Sequence, residues 1–175
     1  MKKTVSIALV IAMLMLILLS MAGCDRNGDD KDFTEYYNYG LHYKLPKEYT
    51  KLTVSYSEHT YYNGEAYFYF NFMSDEKLDE ALLPTDITVE AYAYNFAALN
   101  EITSPVMYDK ATDTARIEYI YDYSDDEVAL SPEFYYHYIL RGSQLIYIVT
   151  MSCPASKQEQ YKPIFNQFIT DIKPD

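Results

Sequence analysis

Three histidines, two cysteines and a large excess of carboxylates are the side chains of this 175-residue chain that could do chemistry. They make metal centres when their spacing lets several converge, as in His-Glu-x-x-His or Cys-x-x-Cys. His42, His59 and His137 stand in neither pattern, so ordinary surface or sheet histidines are expected and no metal. No Gly-x-Ser-x-Gly elbow, phosphate-cradling loop or dinucleotide fingerprint occurs, and the 5 glycines could hardly supply one. No cofactor is expected. Glu90 and Glu118, each read as lying in a strand, are the carboxylates through which acid–base catalysis would run. Asp122, Asp125, Asp126 and Glu127 cluster as calcium ligands do, but lack the spacing and the glycine of a calcium hand. A solvated acidic loop is the expectation there. Cys153 follows an apolar run and reads as a buried, unreactive thiol.

Cys24 is different. Lys2 and Lys3 open the chain, residues 4–22 carry no charge, and Ala22-Gly23 stand directly before the cysteine. A charged start followed by an apolar run is the build of a secretory signal. Its exit resembles the bacterial lipobox, Leu-small-small-Cys, with Met21 in the place of Leu. That resemblance implies a diacylglycerol on the Cys24 thiol and removal of the peptide before it. Each buried CH2 contributes ~0.8 kcal/mol, and two acyl chains anchor where one is marginal. An uncleaved transmembrane helix is the alternative, since residues 4–22 at ~1.5 Å each span roughly 28 Å. Both readings put the remainder outside the cytoplasm.

Removing residues 1–23 removes Lys2 and Lys3 and no acid, so 12 Lys+Arg face 26 Asp+Glu, a net −14. Such a domain is repelled by nucleic acid and by anionic headgroups, so membrane affinity must come from the lipid. Asp25 to Asp32 holds no apolar residue and reads as a spacer. The expected layout is a signal peptide at 1–23, a flexible acidic linker at 24–34 and a single domain at 35–175. With Cys24 lipidated, Cys153 has no disulfide partner. The chain has no Trp but 21 Tyr. Tyr36, Tyr37, Tyr39, Tyr61, Tyr62, Tyr67, Tyr69, Tyr92, Tyr94, Tyr135 and Tyr136 crowd expected strands or their edges. They either cover half-buried sheet faces or form an aromatic platform for an envelope protein or glycan.

The elements that must position these residues follow from periodicity. Tyr39–Pro46 alternates as a strand closed by Pro46, and Leu52–Tyr56 is a second, short one. After the Asn63-Gly64 turn, Ala66, Phe68, Phe70 and Phe72 form one strand face, with Tyr67, Tyr69 and Asn71 on the other. Asp75–Leu83 reads as a short helix, Ile87–Tyr94 as a strand, and Asn95–Ile102 as a helical turn or two. Arg116–Tyr123 is strand-like, with Ile117, Tyr119, Tyr121 and Tyr123 on one face. A hairpin joins Glu133–Leu140 to Leu145–Met151 through a turn at 141–144. Tyr161, Ile164, Phe165, Phe168, Ile169 and Ile172 repeat at helical period, with a Ser156/Glu159 capping box and a kink or new start near Pro163. The sum is an α+β domain, a central antiparallel β-sheet flanked by helices.

This order of elements resembles the PsbP/DcrB-like group, whose fold also occurs in a eukaryotic Ran-binding import factor. The residues that carry it are Tyr43-Lys44-Leu45-Pro46, Ile87-Thr88-Val89-Glu90, the hairpin Tyr138–Gly142 to Tyr147-Ile148-Val149, and Tyr161-Lys162-Pro163-Ile164-Phe165. The resemblance implies an accessory or binding protein, often a bacterial lipoprotein, and carries no catalytic residues with it. The expectation is therefore a non-catalytic binding module, lipid-anchored on the extracytoplasmic face of the cell membrane. An envelope enzyme or metal-dependent hydrolase using the carboxylates is the alternative. A small-ligand carrier would need a pocket of several hundred Å³ under the sheet.

Overall fold

The computed structural model describes residues 32–123 and 130–175. Cys24, the run before it, and Asp125, Asp126 and Glu127 lie outside the described residues. The strands are β1 (Phe33–Asn38), β2 (Leu41–Pro46), β3 (Thr50–Leu52), β4 (His59–Tyr62), β5 (Tyr67–Met73), β6 (Met107–Asp109), β7 (Thr114–Tyr121), β8 (Glu133–Arg141), β9 (Ile146–Pro154) and β10 (Lys173–Pro174). The helices are α1 (Asp75–Glu80), α2 (Val89–Leu99) and α3 (Gln158–Asp171).

A seven-stranded antiparallel sheet runs β3-β4-β5-β9-β8-β7-β6, beside a three-stranded sheet β1-β2-β10. The α+β class and the antiparallel sheet are as the periodicity predicts; the small second sheet is not. It exists because β1 begins at Phe33, within the stretch expected to be linker, and pairs along its whole length with β2. Tyr39 and Gly40 join the two strands with φ of 52° and 76°. Positive φ at both central residues matches the right-handed twist of a hairpin.

Two cores hold the large sheet, one on each face. On one side Phe165 and Phe168 of α3 pack on Phe68, Phe70, Phe134 and Tyr136, with the β2 residues Leu41, Tyr43 and Leu45 closing the edge. On the other, Val89, Ala93 and Ala97 of α2 pack on Ile117, Ile139, Ile146 and Ile148. Strand alternation produces this split: Phe68 and Phe70 face α3, while Tyr67 and Tyr69 point the opposite way. Both cores lie wholly within Phe33–Asp175, which is one compact unit, so this stretch carries its own hydrophobic core.

Four local expectations are corrected. The short strand expected at Leu52–Tyr56 lies instead at Thr50–Leu52, and 53–56 belong to no strand. Ile87 to Tyr94 is not a strand, because Val89–Leu99 is helical. Thr88 caps it, its Oγ1 accepting from the Ala91 N–H at 3.1 Å, and Val89, Tyr92, Ala93 and Ala97 make a buried stripe at helical spacing. The Ser156/Glu159 capping box does not form: Ser156 lies in a 3-10 turn, and Lys157 occupies the N-cap without a side-chain hydrogen bond. Nor does Pro163 start a new helix; α3 runs through it. Pro163 sits on the exposed side, where the carbonyl it leaves unpaired meets water.

Candidate functional site

Among the described residues, α2 covers only part of its side of the large sheet. Helix α2 packs on β7 and β8. Tyr62, Tyr67, Tyr69, Thr150 and Tyr135, on the same sheet face, do not belong to the buried cluster beneath it. Residues directly opposite in antiparallel strands project to one side. The register therefore draws a row across five strands: Tyr62, Tyr67, Ser152, Tyr135 and Tyr119. The next row is Thr60, Tyr69, Thr150, His137 and Ile117.

The tyrosines form two stacked groups. Tyr62 lies on Tyr67 with ring centroids 4.2 Å apart, and Tyr67 on Tyr69 at 5.3 Å. Tyr119 lies on Tyr135 at 5.3 Å, and His137 stacks beside both at 5.5 and 6.1 Å. Between the groups run the small side chains of β9, Ser152 and Thr150. At ~4.8 Å per strand, the Tyr67 and Tyr135 backbones stand about 10 Å apart across Ser152. The Ser152 hydroxyl is buried beside the Tyr69 phenol and makes no well-formed hydrogen bond.

The side chains of the row itself are neutral, and the nearest charge is the Glu133 carboxylate, which bonds Tyr135 at one end of the row. Burial raises the pKa of Tyr67, Tyr69 and Tyr135 above the phenol range, and raises Tyr119 to about 12. Tyr123 and Tyr135 share a hydrogen bond of 2.7 Å between hydroxyls. His137 bonds Thr150 Oγ1 through Nδ1 at 2.8 Å and Tyr119 Oη through Nε2 at 3.3 Å, and burial lowers its pKa to about 4. The row thus presents stacking surfaces and neutral hydrogen-bonding groups.

The other candidate residues are scattered. His42 is on β2, 3.8 Å from Glu35. His59 is on β4 beside Tyr39, with both ring nitrogens buried and unpaired and its pKa lowered by burial. The three histidines do not meet, and among the described residues no group of His, Cys, Asp or Glu converges as a metal site would. Cys153 is a buried free thiol whose pKa burial raises to about 11. The Glu90 and Glu118 pairing is overturned. Glu90 sits on α2, while Glu118 projects toward α3 on the opposite side of the sheet, held by Arg116 and Lys162.

The conspicuous tyrosines divide. Tyr61 and Tyr136 are core, as is Tyr92 on α2. Tyr36 stacks on Tyr43 at 5.4 Å, while Tyr37 and Tyr39 are exposed on the β1–β2 hairpin and Tyr94 on α2. Tyr62, Tyr67, Tyr69 and Tyr135 share the row face. Tyr119 joins them through the alternation already legible in β7. Ser152 and Thr150 carry no signal by type, and only the β8–β9 register reveals them.

The fold is that of PsbP. Cyanobacterial PsbP from Synechocystis sp. PCC 6803 superposes with a TM-score of 0.55 at 10% identity, over 87% of this chain and 98% of that one. The Saccharomyces cerevisiae Ran-binding protein Mog1p gives 0.52 at 9%, over 81% of this chain and 95% of that one. A Bacteroides thetaiotaomicron protein gives 0.52 at 9%, over 82% of this chain and 49% of that one. No family model and no curated protein matches the sequence. At these identities the likeness is one of fold, and sites are argued from this chain's own residues.

Proposed function

We propose that this protein is a binding module of the bacterial cell envelope, tethered by lipid on Cys24 to the extracytoplasmic face of the membrane, and that it engages its partner with the tyrosine row. The observation that carries the reading is the row itself: two stacked tyrosine groups flank a strip of small residues on a half-sheet outside the core beneath α2. Tyrosine presents large contact area with little side-chain entropy to lose, which suits it to protein or glycan recognition. The Ran-binding protein among the structural neighbours is named for a binding role, which is consistent with this use of the fold. The carboxylate-based hydrolase loses its main support, since Glu90 and Glu118 face opposite sides of the sheet. Tethering supplies the second half of the mechanism. An acidic domain with no affinity of its own for anionic lipid is confined near the membrane, and its effective concentration toward other envelope components rises.

The immobilised Phe33–Asp175 unit, offered an envelope extract, is expected to retain a protein or glycan that Tyr67→Ser and Tyr135→Ser each reduce at least about tenfold, the scale of an interface hot spot. Tyr94→Ser, which removes an exposed tyrosine from α2 away from the row, should leave capture unchanged. Equal loss at Tyr94, or no loss at Tyr67 and Tyr135, would show that the row is not the binding surface.

A further inference from the structure

The helices on the two sides of the large sheet are offset, so each leaves a different flank open. On the α3 side the open flank is β6 and β7. There Met107, Arg116, Tyr138 and Leu140 line a groove walled by Ile169 and Ile172, with a volume of about 630 Å³. That lies within the ~300–1,000 Å³ of small-molecule sites, and such sites combine apolar walls with a few placed polar groups. The tyrosine row projects from the other side of the sheet, so this is a separate site.

The polar group that stands out is Arg116. Its Nε lies 3.2 Å from Glu118 Oε1 without good hydrogen-bond alignment. Its two terminal nitrogens make only long contacts, to Tyr136 Oη at 3.4 Å and to the Met107 sulfur at 3.4 Å. A guanidinium has five N–H donors in a planar fork, and its strong contacts to carboxylate are bidentate at ~2.7–2.9 Å. Arg116 has none of these. Glu118 is shared, its Oε2 bound by Lys162 Nζ at 2.5 Å and its Oε1 facing Arg116, so one carboxylate serves two cations. The groove thus holds a cation that its own protein neutralises only in part, on a chain whose net charge is −12.

A second lining residue bounds the ligand's charge. Asp109 stands two residues along β6 from Met107, the register partner of Arg116, its carboxylate accepting from the Ala111 N–H at 2.9 Å and the Thr112 hydroxyl at 3.0 Å, and these bonds hold its pKa low. A dianionic head would meet that carboxylate and the negative field of the whole chain, whereas a single planar carboxylate matches the guanidinium fork. We propose that this groove binds a small amphipathic monocarboxylate, its carboxylate on Arg116 and its hydrocarbon part along Met107, Tyr138, Ile169 and Ile172.

The test uses decanoate, below its micellar concentration, with methyl-labelled Phe33–Asp175 followed by NMR. Saturable shifts are expected at the Met107, Ile169 and Ile172 methyls, and 1-decanol, with the same chain and no charge, should bind at least about tenfold more weakly. Arg116→Gln should weaken decanoate by about tenfold or more. Thr170→Trp, an exposed rim position that touches neither core, should fill the groove and abolish the shifts while leaving the rest of the spectrum intact. Equal binding of decanol, unchanged affinity in Arg116→Gln, or shifts scattered away from these methyls would overturn the proposal. So would the absence of saturable binding.

Discussion

Replacing Phe165 by alanine is expected to lower the free energy of unfolding by about 3–5 kcal/mol, the range for a large aromatic removed from a packed core. Phe165 is fully buried on α3, and its ring centroid lies 5.6 Å from Phe68, 6.2 Å from Tyr136, 6.5 Å from Phe134 and 6.0 Å from Tyr161. Those neighbours sit on β5, β8 and α3 itself, so one substitution loosens the helix from two strands at once. Rigid rings on a sheet cannot collapse into the space as flexible aliphatic chains would, which places the cost toward the upper end. A domain of this size is stable by only ~5–15 kcal/mol. Urea denaturation checks it: the midpoint should fall steeply with an unchanged slope. A loss under about 1 kcal/mol would mean that α3 does not carry this core.

Acid should destabilise the fold through His137, by about 3 kcal/mol between neutral pH and pH 4. The imidazole is buried against Phe96, Tyr119 and Tyr135, and Tyr119 is the titratable group it bonds. Burial lowers its pKa from 6.5 to about 4. Above pH 6.5 the ring is neutral whether the chain is folded or not. As pH falls below 6.5 the unfolded chain takes up a proton that the folded one refuses, and stability declines until about pH 4, where the folded form is protonated too. A pKa drop of that size corresponds to about 3 kcal/mol. Carboxylates also titrate near the lower end of this window, so the measurement is a difference: unfolding free energy against pH for the wild type and for His137→Gln. The two curves should converge toward pH 4. Parallel curves would show that His137 takes up its proton equally in both states.

The elements legible in the sequence are those whose pattern allows one reading. Phe68, Phe70 and Phe72 alternating with Tyr67, Tyr69 and Asn71 can only be a strand with two different faces. Tyr161 to Ile172 repeats at helical period over three turns. Ile87 to Ala93 is ambiguous: the same apolar positions satisfy a period of two and, counted from Val89 to Ala97, a period of 3.6. Thr88 as a cap and the run of alanines decide for helix, and with it goes the Glu90–Glu118 pair. Strand β1 is obscured because its residues follow an acidic stretch and gain their stability from β2 rather than from their own apolar content. The tyrosine row is half visible. Its members are conspicuous by type, but the row depends on register. A turn at 141–144 would set Tyr135 opposite Thr150; the observed turn, one residue later, sets it opposite Ser152. Arg116 carries no signal at all, because its importance lies in what its neighbours fail to provide.

The tethering on which the proposed mechanism depends is a covalent claim about one residue, and intact-mass analysis of the protein extracted from membranes of the native host tests it most directly. The account predicts a chain that begins at Cys24 and carries a diacylglycerol on the thiol, with residues 1–23 gone, and predicts that the Cys24→Ser variant retains them and bears no lipid. An unmodified chain that keeps residues 1–23, and that is membrane-bound equally in the wild type and in Cys24→Ser, would contradict it and make the apolar run the anchor.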